Sequence, residues 1–585
     1  MGFIGAVQRQ FRPSAAEDGE VPPQDDAMHR TETSGAGDDQ PDEKRVVQEQ
    51  TIEAGVSTIE AAQAIWGKTG RWIVIAGLAM IMIIYEIDNS TVYIYNNYST
   101  SSFNALSMLA SLSTASTIIF AVVKPPIAKL SDVIGRGQTY VMTISFYILA
   151  YILMASAKTI NTYAAGIVFY SIGQSGTNLM NDVLISDIST ARWRGFAIGL
   201  SFFPFLITPW VAAYIVDSVV APNGIGWRWG IGMLAILMPF CASFIITTLL
   251  YYQGLAKKMG LAPRVRITIY DFCSQIDLGG VLLFSGGLAL LLLPMTLAAT
   301  STNQWRTPYV DALIAVGGAL LIALPFYEAK VAAHPVVPVH YFKNMTIVMC
   351  LVLIATDSLG FSCTHTYIYT WGTIAHGFSA RNDTFFVYTN GVVQCLVGIL
   401  AGLVMAYTRR YKFLAITGAV IRTIGYGVML RLRGADNSTA ELFVVQAIQG
   451  IGSGIMQTTL LVPAQISVPH AQMAQITALV VCVSTVGSSV GACIAGGIYT
   501  NTLKPALWKH LGDSATAELV DSLFNSITGV VPDWGTPQRE AINKAFSDVM
   551  RYMTYAALGS SIPALGLAWL LPNHKLPTRN NLVEN

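Results

Sequence analysis

The sequence predicts an all-α membrane protein with fourteen transmembrane helices in two related halves. Three observations carry that prediction. Of the 585 residues, 53% are hydrophobic and only 12% are charged, too little polar surface for a soluble chain of this length. Apolar runs of about twenty residues, the length that crosses a bilayer as a helix, recur along most of the chain. A shift of 278 positions carries Ser175-Gly176 onto Ser453-Gly454, and the charged loop 129–138 onto the basic loop around Arg409, Arg410 and Lys412.

Taken in order, residues 1–45 are rich in Asp, Glu, Gln, Pro and Gly and carry no apolar run. They read as a disordered tail without a cleavable signal. Residues 46–66 have helical spacing of Ile52, Val56 and Ile59, which suits a helix on the membrane surface or a lead-in to the first span. The first 70 residues thus form an acidic tail. Spans are expected at 72–94, 104–123, 138–157, 163–186, 196–216, 229–252, 278–299, 312–328, 346–368, 384–406, 413–431, 441–464, 474–499 and 551–571. With the tail cytoplasmic, the inner loops hold fourteen Lys and Arg and the short outer loops six, the bias that places both termini inside. The domains are a first six-helix bundle over 71–255, a linker with spans seven and eight over 256–345, and a second bundle over 346–585. A long outer connection, 500–550, reads as a lid over a vestibule or as a solvated excursion.

The net charge of +1 offers nothing to nucleic acid. The seven cysteines lie mostly in apolar runs without C-x-x-C spacing and read as packing residues. No metal-ligand cluster, no phosphate loop of G-x-x-x-x-G-K-[ST] form and no nucleophile–base pair is visible. An ATP-driven pump and an enzyme are therefore set aside, and no protein-bound metal or cofactor is expected.

The stretch 166–195 gathers Gln174, Asn178, Asn181 and Asp182 in an apolar helix that ends in a cationic turn with Arg192 and Arg194. Amides and an acid are costly in a span unless they face a cavity or a partner. A cavity-lining helix is one reading and a packing helix the other. Asp182 shifts onto Leu460, so this acid belongs to the first half alone.

Between spans two and three lies Ala128-Lys-Leu-Ser-Asp132-Val-Ile-Gly135-Arg136-Gly137-Gln138. It resembles the G-x-L-x-D-r-x-G-r loop of the major facilitator superfamily, with Ala128 for the first Gly and Val133 for the usual Arg. Gly135 permits a tight turn, and Asp132 and Arg136 can pair with charges at neighbouring helix ends, Asp187 among them. The stretches GVSTIEAAQAIW, YEIDNSTVYIY, NDVLISDISTARWRG and GWRWGIG, with the long last outer loop, are similar to fungal siderophore–iron transporters of the Mir type. The resemblance runs from about residue 55 to the end. It implies two six-helix bundles with two inserted helices and proton-coupled uptake of ferric hydroxamate siderophores by alternating access. It also implies iron carried inside its siderophore, protons as the coupling ion, a monomer, and a plasma-membrane or endosomal location. The fifth span lacks the paired glycines of the fourteen-span drug exporters (Gly199, Pro204 and Pro209 stand there), and the fourth lacks their Arg. A drug or glutathione–proton exchanger and a transport-dead siderophore sensor are the rival readings.

Asp88, Asp182 and Glu86, in that order, are the candidate proton-carrying acids. Asp88 and Glu86 are two positions apart and so point to nearly opposite sides of a helix, Asp88 sharing its face with Tyr85 and Val92. Substrate contacts are expected among Tyr85, Gln174, Asn178, Phe203, Trp210, Asp357, His365, Tyr369 and Tyr388, aromatic or polar residues on cavity helices of this fold. Arg422, mid-span, reads first as one member of an ion pair and second as a substrate contact.

Overall fold

The computed structural model describes residues 65–188, 203–259, 273–274, 277–297, 307–332, 339–468, 473–529 and 531–573. The expectations for the acidic tail, for most of the surface helix before residue 66, and for Arg192 and Arg194 lie outside these residues. So does the side chain of Asp132.

The first half comprises α1 (Gly67–Ser102), α2 (Leu109–Ile134), α3 (Arg136–Ser156), α4 (Ile160–Ile188), α5 (Thr208–Val220), the short α6 (Gly226–Gly232) and α7 (Leu234–Lys258). An antiparallel pair follows, α8 (Leu278–Leu297) and α9 (Pro308–Lys330). The second half holds α10 (Met345–His365), α11 (Ile368–Ala375), α12 (Ala380–Thr408), α13 (Lys412–Leu432), α14 (Thr439–Ile466), α15 (Met473–Leu511), α16 (Ala517–Asn525) and α17 (Pro537–Leu570). Eleven of the described helical segments are long and apolar enough to cross a membrane, and α5 is a shorter apolar helix. The apolar criterion leaves out α4 and α14, 29 and 28 residues long, whose amides and hydroxyls lower their hydropathy. Fourteen spans is therefore a reading that adds these helices and α5 to the eleven.

The halves repeat one packing scheme. In the first, α3 and α2 lie on α4, and α1 lies on α7 and α5; in the second, α13 and α12 lie on α14, and α10 lies on α17 and α15. Small residues set these approaches: a Cβ added at Gly450 or Gly454 of α14 would meet a backbone carbonyl of α12 at 2.5 Å. That is the close contact through which helices associate in lipid. The halves meet along α2–α15 and α5–α12, and α8 packs against α2 and α15 at one of these seams.

One end of the bundle carries the turn between α2 and α3. Gly135 has φ 102° there, a conformation open to glycine. Arg136 Nε lies 2.9 Å from Asp187 Oδ2 and its Nη1 donates to Ser131 Oγ at 2.7 Å, which ties α3 to the ends of α4 and α2.

The opposite end is capped, and here the expected long connection is corrected. Residues 500–550 are largely helix: α15 runs on to Leu511, α16 follows, and α17 begins at Pro537. Leu503, Leu507, Leu523, Phe546 and Met550 are buried, so the segment is a packed cap rather than a solvated excursion. It reaches the first half, where the Ile527 backbone N–H donates to Ser101 Oγ at 2.9 Å and Ser107 Oγ to Asn525 Oδ1 at 3.3 Å. Arg539 donates to Ile374 O at 2.7 Å and lies under the Trp534 ring at 4.0 Å.

Gly377 tests how tightly the cap is held. Its φ is 62°, and a Cβ would come within 2.5 Å of Trp534 Cζ2. Gly377→Val should therefore displace Trp534 and cost at least about 1–2 kcal/mol in backbone strain alone. Limited proteolysis should cut variant protein within 512–536 several-fold faster than wild type; equal rates would mean that Trp534 does not hold the cap.

Candidate functional site between the two halves

Contacts between the halves gather toward the capped end. Tyr93 on α1 donates to the His365 carbonyl at 3.1 Å, Tyr98 shares a hydrogen with Tyr369 at 2.8 Å, and Thr370 donates to Asn97 Oδ1 at 3.3 Å. Tyr388 on α12 donates to the Ser90 carbonyl at 3.0 Å, and Arg381 N–H to Asp217 at 3.3 Å. Rings fill the α5–α12 seam, with Trp210 5.0 Å from Phe385 and Phe205 6.2 Å from Tyr388. On the other seam Thr117 meets Ser489 at 2.6 Å near mid-helix. Apart from the Asp217 carboxylate these partners are neutral, each neutral hydrogen bond worth about 1 kcal/mol net. Such an interface can open.

The first half carries a polar ladder along α4. Gln174 Nε2 on α4 donates to Asn89 Oδ1 of α1 at 3.1 Å. One turn on, Asn178 Oδ1 accepts from Lys124 Nζ of α2 at 2.9 Å, and Lys124 also lies 4.5 Å from the Phe120 ring. Asp182 follows by another turn, half-buried and within electrostatic range of Lys124 and Tyr85. Glu86 stands on the side of α1 that faces α12, within range of Tyr388 and Cys395; its Oε2 is buried and makes no hydrogen bond.

Asp88 points elsewhere. It is fully buried inside the first half, where Tyr151 of α3 donates to Oδ1 at 2.7 Å and Tyr170 of α4 to Oδ2 at 2.9 Å. Tyr147 stacks on Tyr151 at 5.4 Å and closes the pocket. Tyr85 and Val92, which share that face, are buried with it. The face on which the sequence places Asp88 is thus the interior face of the half, and the acid turned toward the partner half is Glu86.

The second half holds an analogous buried acid. Asp357 Oδ1 of α10 lies 2.8 Å from Arg422 Nε of α13, with side chains 1% and 4% exposed. The contact lies off the N–H axis, so the pair is an ion pair without a straight hydrogen bond. Ser453 of α14 donates to Asp357 Oδ2 at 2.8 Å, and Arg422 Nη1 donates to Gln449 Oε1 at 2.8 Å. Asp357, expected to touch substrate, is instead consumed by Arg422. His365 is likewise buried, its Nδ1 3.1 Å from the Phe361 carbonyl and its ring stacked on Phe361 at 4.1 Å. Tyr369 is enclosed at the capped end, whereas Phe203 and Trp210 are exposed and Tyr388 spans the seam.

Sequence reasoning passed over Lys124, counted as a loop cation because the apolar run ends at residue 123. It also passed over the three tyrosines around Asp88, whose role depends on tertiary contacts. Buried Arg433, which donates to the Thr364 carbonyl at 3.2 Å and to Gln446 Oε1 at 3.3 Å, was counted among the outer loops.

Residues 74–492 match the model of the Major Facilitator Superfamily. The chain is 31% identical over 551 residues to the MFS siderochrome iron transporter C of Aspergillus fumigatus, covering 91% of this chain and 88% of that one. It is also 31% identical over 552 residues to the low affinity heme transporter str3 of Schizosaccharomyces pombe, covering 91% and 87%. In fold it is similar to a bacterial homolog of the human lysosomal transporter Spinster in an inward-facing, unoccupied conformation, with TM-score 0.58, 15% identity, and coverage of 86% and 97%.

The buried pair yields a prediction about stability. Arg422→Leu strands the Asp357 carboxylate, and breaking such a pair costs about 3–5 kcal/mol. Folded yield and melting temperature in detergent should fall sharply, and the double change Arg422→Leu with Asp357→Leu should recover most of the loss. A well-folded Arg422→Leu protein, or a double variant no better than the single one, would contradict a structural role for the pair.

Proposed function

The chain belongs to the Major Facilitator Superfamily, and from that premise we propose that it takes up ferric siderophores by alternating access, driven by protons. The observation that carries the substrate is the likeness, over nine-tenths of the chain, to a protein named as a siderochrome iron transporter. The structure is closed at the capped end by the tyrosine and amide contacts. If that end faces outward, as the cationic loops suggest, the substrate space opens to the cytoplasm. Opening the opposite way requires those contacts to part, and their modest energies suit a carrier that cycles. The plasma membrane and cytoplasmic termini belong to the same reading.

For the motor, Glu86 is the acid whose position favours proton carriage. It lies within electrostatic range of Tyr388 in the other half, and one of its carboxylate oxygens makes no hydrogen bond. Asp182 is the second, and Asp88 serves to pin α1 to α3 and α4. A proton moving inward gains about 2.3 kcal/mol per 100 mV of membrane potential, and a neutral ferric hydroxamate complex gains nothing by itself. Aromatic faces of Phe385, Tyr388 and Trp210 supply contact area for a bulky amphipathic ligand.

The test is accumulation of labelled iron in a host lacking its own carriers, with a panel of ferric siderophores and with hemin. Ferric siderophore should accumulate, and a protonophore should abolish it. Glu86→Gln should lose accumulation against a gradient by about tenfold or more while still binding ligand. Accumulation of hemin alone would replace the substrate reading, and net efflux would replace uptake by export. Wild-type concentrative uptake by Glu86→Gln would return the motor to Asp182 or Asp88.

A further inference from the structure

We propose that Lys124 recognises a negative charge on the cargo, so that this site takes ferric complexes bearing a carboxylate or another anionic oxygen. The inference rests on the siderophore reading and narrows its substrate class. Lys124 lies within the apolar segment Leu106–Ala128, near its end, where an ammonium needs a partner, a cavity or a route to the interface. A cation held there without function would be expected to have a close carboxylate partner. Among the described residues Lys124 has none: its hydrogen bond goes to the neutral amide of Asn178, and it lies over the Phe120 ring. Asp182 acts on it from beyond ion-pair contact. An ammonium has three donors, so Asn178 leaves donor capacity for a further oxygen.

Position agrees with that role. Thr117 and Ser489 mark where α2 touches α15. Lys124 stands seven residues along α2 from the first, and Cys482, seven residues along α15 from the second, lies within its electrostatic range. The ammonium is therefore near the seam between the halves and not fully buried. The charge is one-sided. The 278-residue shift takes Lys124 onto Gly402 and Asp182 onto Leu460, so the second half has no equivalent pair. Asn178 holds the ammonium within the field of Asp182; an anionic cargo oxygen takes a remaining donor and competes with that field. The charged and titratable groups around Lys124 are Asp182 of α4 and Cys482 of α15, while Tyr85 of α1 and Tyr140 of α3 stand beside Asp182.

The experiment measures equilibrium binding to purified full-length protein of two ferric trihydroxamates, one of zero net charge and one of similar size carrying a free carboxylate. Lys124→Gln should weaken the carboxylate-bearing complex about 10–100-fold, the range of a charge-assisted hydrogen bond, and leave the neutral complex within about twofold. Lys124→Arg should retain most of the preference. Asp182→Asn, which removes the competing charge, should tighten the carboxylate-bearing complex several-fold with the neutral one unchanged. Equal losses for both complexes in Lys124→Gln, or no response of the charge preference to Asp182→Asn, would overturn the inference. Should Lys124→Gln fail to fold, the Arg and Asn variants still decide it. Wild-type protein that binds neither complex would overturn the siderophore reading itself, whereas wild type binding only the neutral one would overturn Lys124 alone.

Discussion

A carboxylate inside a helical bundle in lipid has no water to solvate it, and its neighbours must supply the hydrogen bonds or the counter-charge. Both halves of this protein are organised by that constraint. The first span of each carries a buried acid, Asp88 or Asp357, and in each case the third and fourth spans supply its partners, α10 and α11 counting as one span: Tyr151 and Tyr170 in one half, Arg422 and Ser453 in the other. The chemistry differs, phenols against a guanidinium, yet the three helices joined are equivalent. Removing one partner exposes the full desolvation penalty of the acid, so each half behaves as a unit.

Between those units the bonds are of another kind. Tyr98 with Tyr369, Thr370 with Asn97 and Tyr93 with the His365 carbonyl are neutral hydrogen bonds, backed by rings that can slide past one another. The buried acids and their partners lie inside the halves, while the described contacts between the halves are mostly neutral, with the Arg381 N–H to Asp217 bond the charged exception. Glu86, Lys124 and Asp182 stand on α1, α2 and α4 of the first half. The cap adds a layer across the closed end, tied to α1 and to the turn before α2 by single hydrogen bonds.

Much of the architecture was legible because its signals are local. Hydropathy and loop cations located the helices, and the motif around Gly135 and Arg136 pointed to Asp187, which is where the ion pair lies. What stayed hidden was orientation. Two positions of α1 must face opposite ways, but only tertiary contacts decide that Asp88 faces α3 and α4 while Glu86 faces α12. The acid beside Arg422 lies 65 residues earlier in sequence, and spacing offers no route to it. The cap was different: Ile542, Ala545, Phe546, Val549, Met550 and Met553 follow helical periodicity. That signal was masked by the Trp, Pro and mixed charges before it. Lys124 escaped because hydropathy ends the second span one residue too early, although the helix continues to Ile134.

The central claim, that two rigid halves must part at the capped end for transport, is tested most directly by fastening that end. Cysteines at Asn97 and Thr370, in protein whose native cysteines are replaced, can be joined by a short cleavable bifunctional thiol reagent. Joined protein should lose iron uptake and regain it once the link is cleaved. Uptake that continues at full rate with Asn97 and Thr370 fastened would contradict it.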